Sequence, residues 1–243
     1  MRHSVLVPLI GLGMVVTASA NAQRRRPRVE LDFGWRDAVE IGVTGGPNQT
    51  SVTGVGPVDH EVRGLLGGFA SIPLAEGLRL RPEVLFENRA ASTTQTSFPP
   101  CAVNVVCDPI VEKRTGSFTW VEAPLLLEAR FPHAFGSLAP RLLGGPYLGV
   151  RLSCSFSSQR TSPVNGTPAP KVVQSCTDLG STTSYRNGDA GFVVGGGITS
   201  GTFGVTFRWT RSLMAVSESP GDFFFNGKTS SLAVAFDLAT RLH

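Results

Sequence analysis

Residues 118–131, FTWVEAPLLLEARF, decide the fold. The run is apolar enough for a buried segment, yet it carries Glu122, Glu128 and Arg130. Pro124 in its middle argues against a helix, because proline removes a ladder hydrogen bond and clashes with the preceding turn. Sorting by parity resolves the conflict. Thr119, Val121, Ala123, Leu125, Leu127, Ala129 and Phe131 fall on one side, and Glu122, Pro124, Leu126, Glu128 and Arg130 on the other. That is one long strand of period two with an apolar face and a charged face.

The same alternation recurs along the chain. Ile41 and Val43 alternate with Glu40, and Leu66, Ala70 and Ile72 with Arg63. Leu78, Leu80, Val84 and Phe86 alternate with Arg79, Arg81, Glu83 and Glu87. Further on, Leu142, Leu148, Val150 and Leu152 oppose Arg141, Tyr147 and Arg151, and Phe192, Val194 and Ile198 face outward from a glycine-rich segment. Phe203, Val205, Phe207 and Trp209 oppose Arg208, and Leu232, Val234, Phe236 and Leu238 oppose Asp237. With the opening stretch this makes eight strands. Their connections sort by length: short turns after strands two, four and six, and long polar excursions at 47–61, 88–116, 154–188 and 213–228. Long loops at one end and short turns at the other mark an outer-membrane barrel.

Alternation alone does not say which face points inward. A soluble barrel of the lipocalin type would turn its apolar face in. Two features favour the membrane orientation: the charged face carries much of the glycine, which suits a narrow lumen, and Phe131, Phe203 and Trp209 cap the apolar face as an interfacial girdle would. The expected fold is therefore all-β, an eight-stranded antiparallel up-and-down transmembrane β-barrel with short periplasmic turns and long extracellular loops. By parity its lumen receives Glu40, Glu83, Glu87, Glu122, Glu128 and Asp237 together with Arg63, Arg79, Arg81, Arg130, Arg141, Arg151 and Arg208. Six acids against seven bases nearly cancel, as a confined interior requires, since an unpaired buried charge costs several kcal/mol.

The first residues address the compartment. Met1-Arg2-His3 precedes the 14-residue apolar run 5–18 and the small-x-small pattern Ala20-Asn21-Ala22. This predicts a signal peptide over 1–22, cleaved after Ala22, because the apolar run is too short to span ~30 Å of hydrocarbon. A flexible basic periplasmic segment is expected over 23–37 and the barrel over 38–243. Removing Arg2 lowers the 22 basic residues to 21 against 18 acidic ones, a net +3 that does not point to nucleic acid. Cys101, Cys107, Cys154 and Cys176 all lie in the exported part, within loop-like segments, and local spacing favours 101–107 and 154–176 disulfides. Zinc is disfavoured because CAVNVVC has no neighbouring His and no CxxC spacing occurs.

GGFASIPLAEGLRLRPEVLFE (67–87), FTWVEAPLLLEARFP (118–132), GGPYLGVRLS (144–153) and SLAVAFDL (231–238), in this order, resemble the PorT-like outer-membrane β-barrel family. The resemblance runs from about residue 39 to 239, interrupted by divergent loops. It implies an eight-stranded barrel in a bacterial outer membrane and no single biochemical activity. The closing Thr240-Arg241-Leu242-His243 departs from the terminal aromatic residue common in such barrels, and the four loop cysteines are not part of the family pattern.

No catalytic, cofactor or metal constellation emerges. His60, flanked by Asp59 and Glu61, is the one histidine expected in an outward loop, and a solvated surface triplet is the plainer account of it. The basic arm Arg24-Arg25-Arg26-Pro27-Arg28 reads as a flexible tail or as a contact for envelope phosphates. Phe223, Phe224 and Phe225 on the last long loop read equally as a partner-binding patch or as part of the aromatic rim. The expected partners are outer-membrane lipid and another envelope or extracellular protein met through the loops, with the chain monomeric. Three function classes stay open: an interaction barrel, a passive channel and a rim enzyme.

Overall fold

The computed structural model describes residues 39–53, 59–98, 109–131, 137–161, 168–176, 185–217 and 227–242. The expectations for residues 1–37, for Cys101 and Cys107, for His133 and His243, and for Phe223, Phe224 and Phe225 lie outside these.

Among the described residues nine strands follow one another: β1 (Glu40–Thr53), β2 (Asp59–Ala75), β3 (Leu78–Ser97), β4 (Ile110–Arg130), β5 (Ala139–Thr161), β6 (Val172–Ser175), β7 (Gly188–Ser200), β8 (Phe203–Ser212) and β9 (Lys228–Arg241). All pairings are antiparallel. The order β4-β3-β2-β1-β9-β8-β7-β5 is closed by a further pairing of β4 with β5, which makes an eight-stranded ring. β6 stands outside it, paired with the outer part of β5. Closure leaves no free edge at membrane depth, the condition for backbone to sit in hydrocarbon.

The parity read from the sequence is the parity of the ring. Leu125 is 48% exposed and its neighbour Leu126 is fully buried. Leu66, Phe86, Leu148, Phe207, Leu232 and Phe236 all stand outward, forming an apolar outer belt. Two outward ring pairs stand at different levels of it: Phe203 lies 6.4 Å from Phe236 near the turns, and Phe192 meets Trp209 edge-on at 5.5 Å higher up. Glycine on the inner face makes room for the large interior rings. A Cβ on Gly42 would lie 2.6 Å from the Phe69 ring, and one on Gly191 2.6 Å from Tyr147. Gly77, with φ of 71°, turns β2 into β3 in a backbone conformation that other residues rarely adopt.

Among the described residues, the excursions expected at 47–61 and 88–116, and the start of the one at 154–188, are instead mostly strand. β3, β4 and β5 are 20, 21 and 23 residues long, about twice the ~9–11 residues a tilted strand needs to cross a membrane. Their outer halves pair in continuous register, Thr94 with Lys113 and Arg114 with Ser158. At 93–97, 110–115 and 157–161, beyond the buried positions, neither face of this extension is buried, so apolar alternation fades there and the segments read as loops.

Candidate functional site: an ion-paired lumen under an apolar cap

The interior is filled in layers. Nearest the turns, Arg130 Nη2 lies 2.8 Å from Glu40 and its Nε donates to Glu128 at 2.7 Å. Beside it Arg79 Nε donates to Ser71 Oγ at 2.7 Å. In the next layer Arg81 reaches Glu83 at 2.6 Å and Asp237 at 3.0 Å, with its guanidinium 3.7 Å over the Phe69 ring. Arg141 also bonds Asp237, together with Thr206.

Arg208 Nη2 meets Glu83 Oε1 at 2.5 Å. Glu83 is on β3 and Arg208 on β8, four steps apart in either direction around the ring. This one bond therefore crosses the full width of the lumen. Beside it Leu126, Leu143, Tyr147 and Val193 form a small apolar cluster.

Above sits a layer organised by Arg89. Its guanidinium donates to Glu87 at 3.0 and 3.2 Å, to Asp189 at 2.8 Å and to Thr229 at 3.0 Å, and it also bonds Glu122. Tyr147 donates to Asp189 at 2.8 Å and Ser212 to the other oxygen of Asp189 at 2.5 Å. Asn48 donates to Glu87 at 2.7 Å. Such charge-assisted bonds, with both partners held by packing, have short and well-defined geometry.

The top is apolar. Val52, Ala91, Phe118, Trp120, Tyr185 and Val216 form a second core, with Cys154, Phe156 and Cys176 packed against it. The Cys154–Cys176 disulfide, with Cα atoms 5.5 Å apart, ties the β5–β6 hairpin beside this core. Arg186 N donates to Val216 O at 3.1 Å, so the chain following the hairpin is laced to the segment after β8.

Eleven of the thirteen charges expected in the lumen lie in these layers. Arg63 and Arg151 do not. Arg63 has inward parity, but it sits near the outer end of β2, next to the irregular pairing between His60 and Leu65, and its side chain is exposed 3.9 Å from Glu61. Arg151 lies above the Arg89 layer and donates to the Tyr185 carbonyl at 3.2 Å and to Asn187 at 2.7 Å rather than to any carboxylate. Two charged members escaped the sequence reading, Arg89 and Asp189. Each is one parity step beyond where a strand was ended, Arg89 after Glu87 and Asp189 before Gly191. Extending the alternation into polar sequence finds both.

The corrected layers hold six guanidinium groups (Arg79, Arg81, Arg89, Arg130, Arg141, Arg208) and seven carboxylates (Glu40, Glu83, Glu87, Glu122, Glu128, Asp189, Asp237). Arg81 Nη2, Glu83 Oε2 and Glu128 Oε2 are buried without a hydrogen-bond partner among the described residues, and such polar recesses suit single internal waters. Among the described residues, no group of His, Cys, Asp or Glu is arranged to hold a metal. His60, at the exposed start of β2, faces Ala91 across the pair.

A closed antiparallel ring with an apolar outer belt and an ion-paired interior defines an outer-membrane β-barrel protein. The chain belongs to the outer membrane protein beta-barrel domain family, whose profile matches residues 21–218. No curated protein matches the sequence. Among solved structures it is similar to Ail, the attachment invasion locus protein of Yersinia pestis, determined in complex with the heparin analogue sucrose octasulfate. There the identity is 9% and the TM-score 0.38, over 84% of this chain and 99% of that one. Neisserial surface protein A is similar at 8% identity and TM-score 0.38, over 82% and 96% of the two chains. The N-terminal β-barrel domain of Pseudomonas aeruginosa OprF is similar at 11% identity and TM-score 0.32, over 83% and 98%.

Proposed function

We propose that this bacterial outer-membrane barrel is a non-enzymatic member with a side-chain-filled lumen, acting as a structural or interaction protein through its extracellular face. The Glu83–Arg208 bond across the lumen carries the reading. An eight-stranded interior is only just wide enough to be filled by side chains, and here ionic layers and an apolar cap occupy it. What remains for function is the outer half. β3, β4 and β5 hold up a paired, Ser/Thr-rich sheet well beyond membrane depth, with β6 along its side. Rigid display of loops and edges is how such a scaffold meets a partner.

The order of the four sequence motifs supports placing the chain among PorT-like members. Export would follow cleavage after Ala22, and the barrel would work as a monomer with no cofactor. Its expected partners are outer-membrane lipid and another envelope or extracellular protein. The buried atoms of Arg81 and Glu128 that lack a hydrogen-bond partner favour the second reading, a small passive pore. A rim enzyme at His60 is the third, tested by His60→Ala.

Cross-linking on intact cells tests the interaction reading. Trimming the β3–β4 tip from Thr93 to Arg114 should abolish the cross-linked species while the unboiled protein keeps its folded gel mobility. Unchanged cross-linking after trimming would refute a role for this face.

A further inference from the structure

On three adjacent strands the lipid-facing residues change from apolar to polar toward the outer end. From the turn end, β8 presents Phe203, Val205, Phe207 and Trp209 outward, and then Arg211. β9 presents Leu238, Phe236, Val234 and Leu232, and then Ser230 and Lys228. β1 runs from Ile41 through Pro47 to Gln49 and Ser51. Arg211 is eight residues above Phe203, ~27 Å along a strand rising ~3.4 Å per residue, or ~20 Å of depth at the usual tilt of ~40°. That is near the edge of an apolar band ~25 Å tall. The basic pair therefore sits at headgroup depth.

We propose that Arg211 and Lys228 hold the phosphate of an anionic lipid of the outer leaflet. Arg211 pairs across the sheet with Ser230, and Lys228 is two residues further along the same face of β9. Diagonal neighbours of this kind have Cβ atoms ~7–8 Å apart or slightly less, a gap that two long cationic side chains can close around one phosphate. Between them, Ser230 Oγ lies 2.7 Å from Ser51 Oγ, which adds hydroxyl groups to the cradle. Neither cation forms an ion pair with another described residue, in contrast to the interior arginines. The arrangement is also one-sided. At the turn end the same faces carry Phe203 and Leu238, and Arg241 there lies 3.8 Å from Glu40. A guanidinium and an ammonium above Trp209 and Leu232, apolar stems down and charges up, match a phosphorylated headgroup over acyl chains.

The test is to reconstitute the lipid-stripped protein in phosphatidylcholine vesicles containing diphosphoryl lipid A or its dephosphorylated counterpart. After gentle extraction, the retained lipid is counted by native mass spectrometry. The wild-type protein should retain the phosphorylated lipid and not the other, and inorganic phosphate should fail to displace it. Arg211→Gln with Lys228→Gln should weaken retention roughly twenty-five-fold, about fivefold per lost cation, while Arg114→Gln with Arg160→Gln on the outer sheet should not. Folded gel mobility of the unboiled variants controls for misfolding. Wild-type retention should also fall as salt rises, a reading that needs no variant. Equal retention by the Arg211/Lys228 variant, equal retention of the dephosphorylated lipid, displacement by inorganic phosphate, or indifference to salt would each overturn the proposal.

Discussion

Arg89 is the most consequential charge in the protein, and Arg89→Met tests why. Its guanidinium is 2% exposed and is the shared partner of Glu87, Glu122 and Asp189, themselves 3%, 1% and 7% exposed. Formally this layer carries −2 with Arg89 present and −3 without it. Methionine keeps much of the stem volume and removes every donor, so the loss is electrostatic rather than a cavity. Breaking one buried ion pair costs ~3–5 kcal/mol, because the remaining charge stays desolvated. With three carboxylates left behind, the upper part of that range is expected. The assay is urea unfolding in phospholipid vesicles, followed by the gel mobility of unboiled samples. Arg63→Met is the control: that side chain is exposed beside Glu61, and surface pairs contribute ~0–1 kcal/mol. Adding Glu122→Gln and Asp189→Asn to Arg89→Met should recover much of the loss, a non-additive result expected of groups in one network. If Arg89→Met costs no more than Arg63→Met, the reasoning fails.

Leu125→Arg, on the lipid face near mid-depth, should cost ~2–4 kcal/mol in the same assay, and insertion at no cost would mean that lipid does not meet this face. Breaking the Cys154–Cys176 disulfide (sequence separation 22) with Cys154→Ser and Cys176→Ser should remove ~3 kcal/mol by the chain-entropy estimate. The loss should appear as protease sensitivity of the outer cap, with the barrel resistant; non-reducing peptide maps should also show 101 joined to 107. Arg114 donates to both oxygens of Glu112, at 3.0 and 3.3 Å, and holds its carboxyl below the usual range. Because the folded value is the lower one, the pair's contribution is complete above about pH 5 and is lost as the pH falls below about 4. Hydrogen exchange at the β3–β4 tip should be flat from neutral pH to that point after correction for intrinsic rates, and early loosening would contradict it.

The ring itself was legible because a membrane barrel writes its fold as parity. Leu125 and Leu126 are chemically identical neighbours with opposite surroundings, and only their position in the alternation distinguishes them. Parity also assigned eleven of the interior charges, though not their partners. Nothing in the order of residues says that Arg208 reaches Glu83 rather than Asp237, since that depends on ring closure and strand stagger. Where the alternation fades, the reading stopped too early. Arg89 follows Asn88 and Asp189 follows Gly188, and the ends of β3, β4 and β5 at 93–97, 110–115 and 157–161 have no buried apolar side to announce them. Arg63 erred in the opposite sense, because its parity is inward but it lies where the wall opens. The cap formed by Phe118, Trp120 and Tyr185 joins segments far apart in sequence, and no local pattern marks it.

The central claim is that side chains fill the lumen, and single-channel recording in planar bilayers tests it most directly. Folded wild-type protein, inserted at low density, should show no stable conductance at any moderate potential. Arg79→Ser with Arg81→Ser, which removes two interior cations, should lower stability and admit small ions. Steady wild-type openings of long duration would contradict the filled lumen and make the protein a channel.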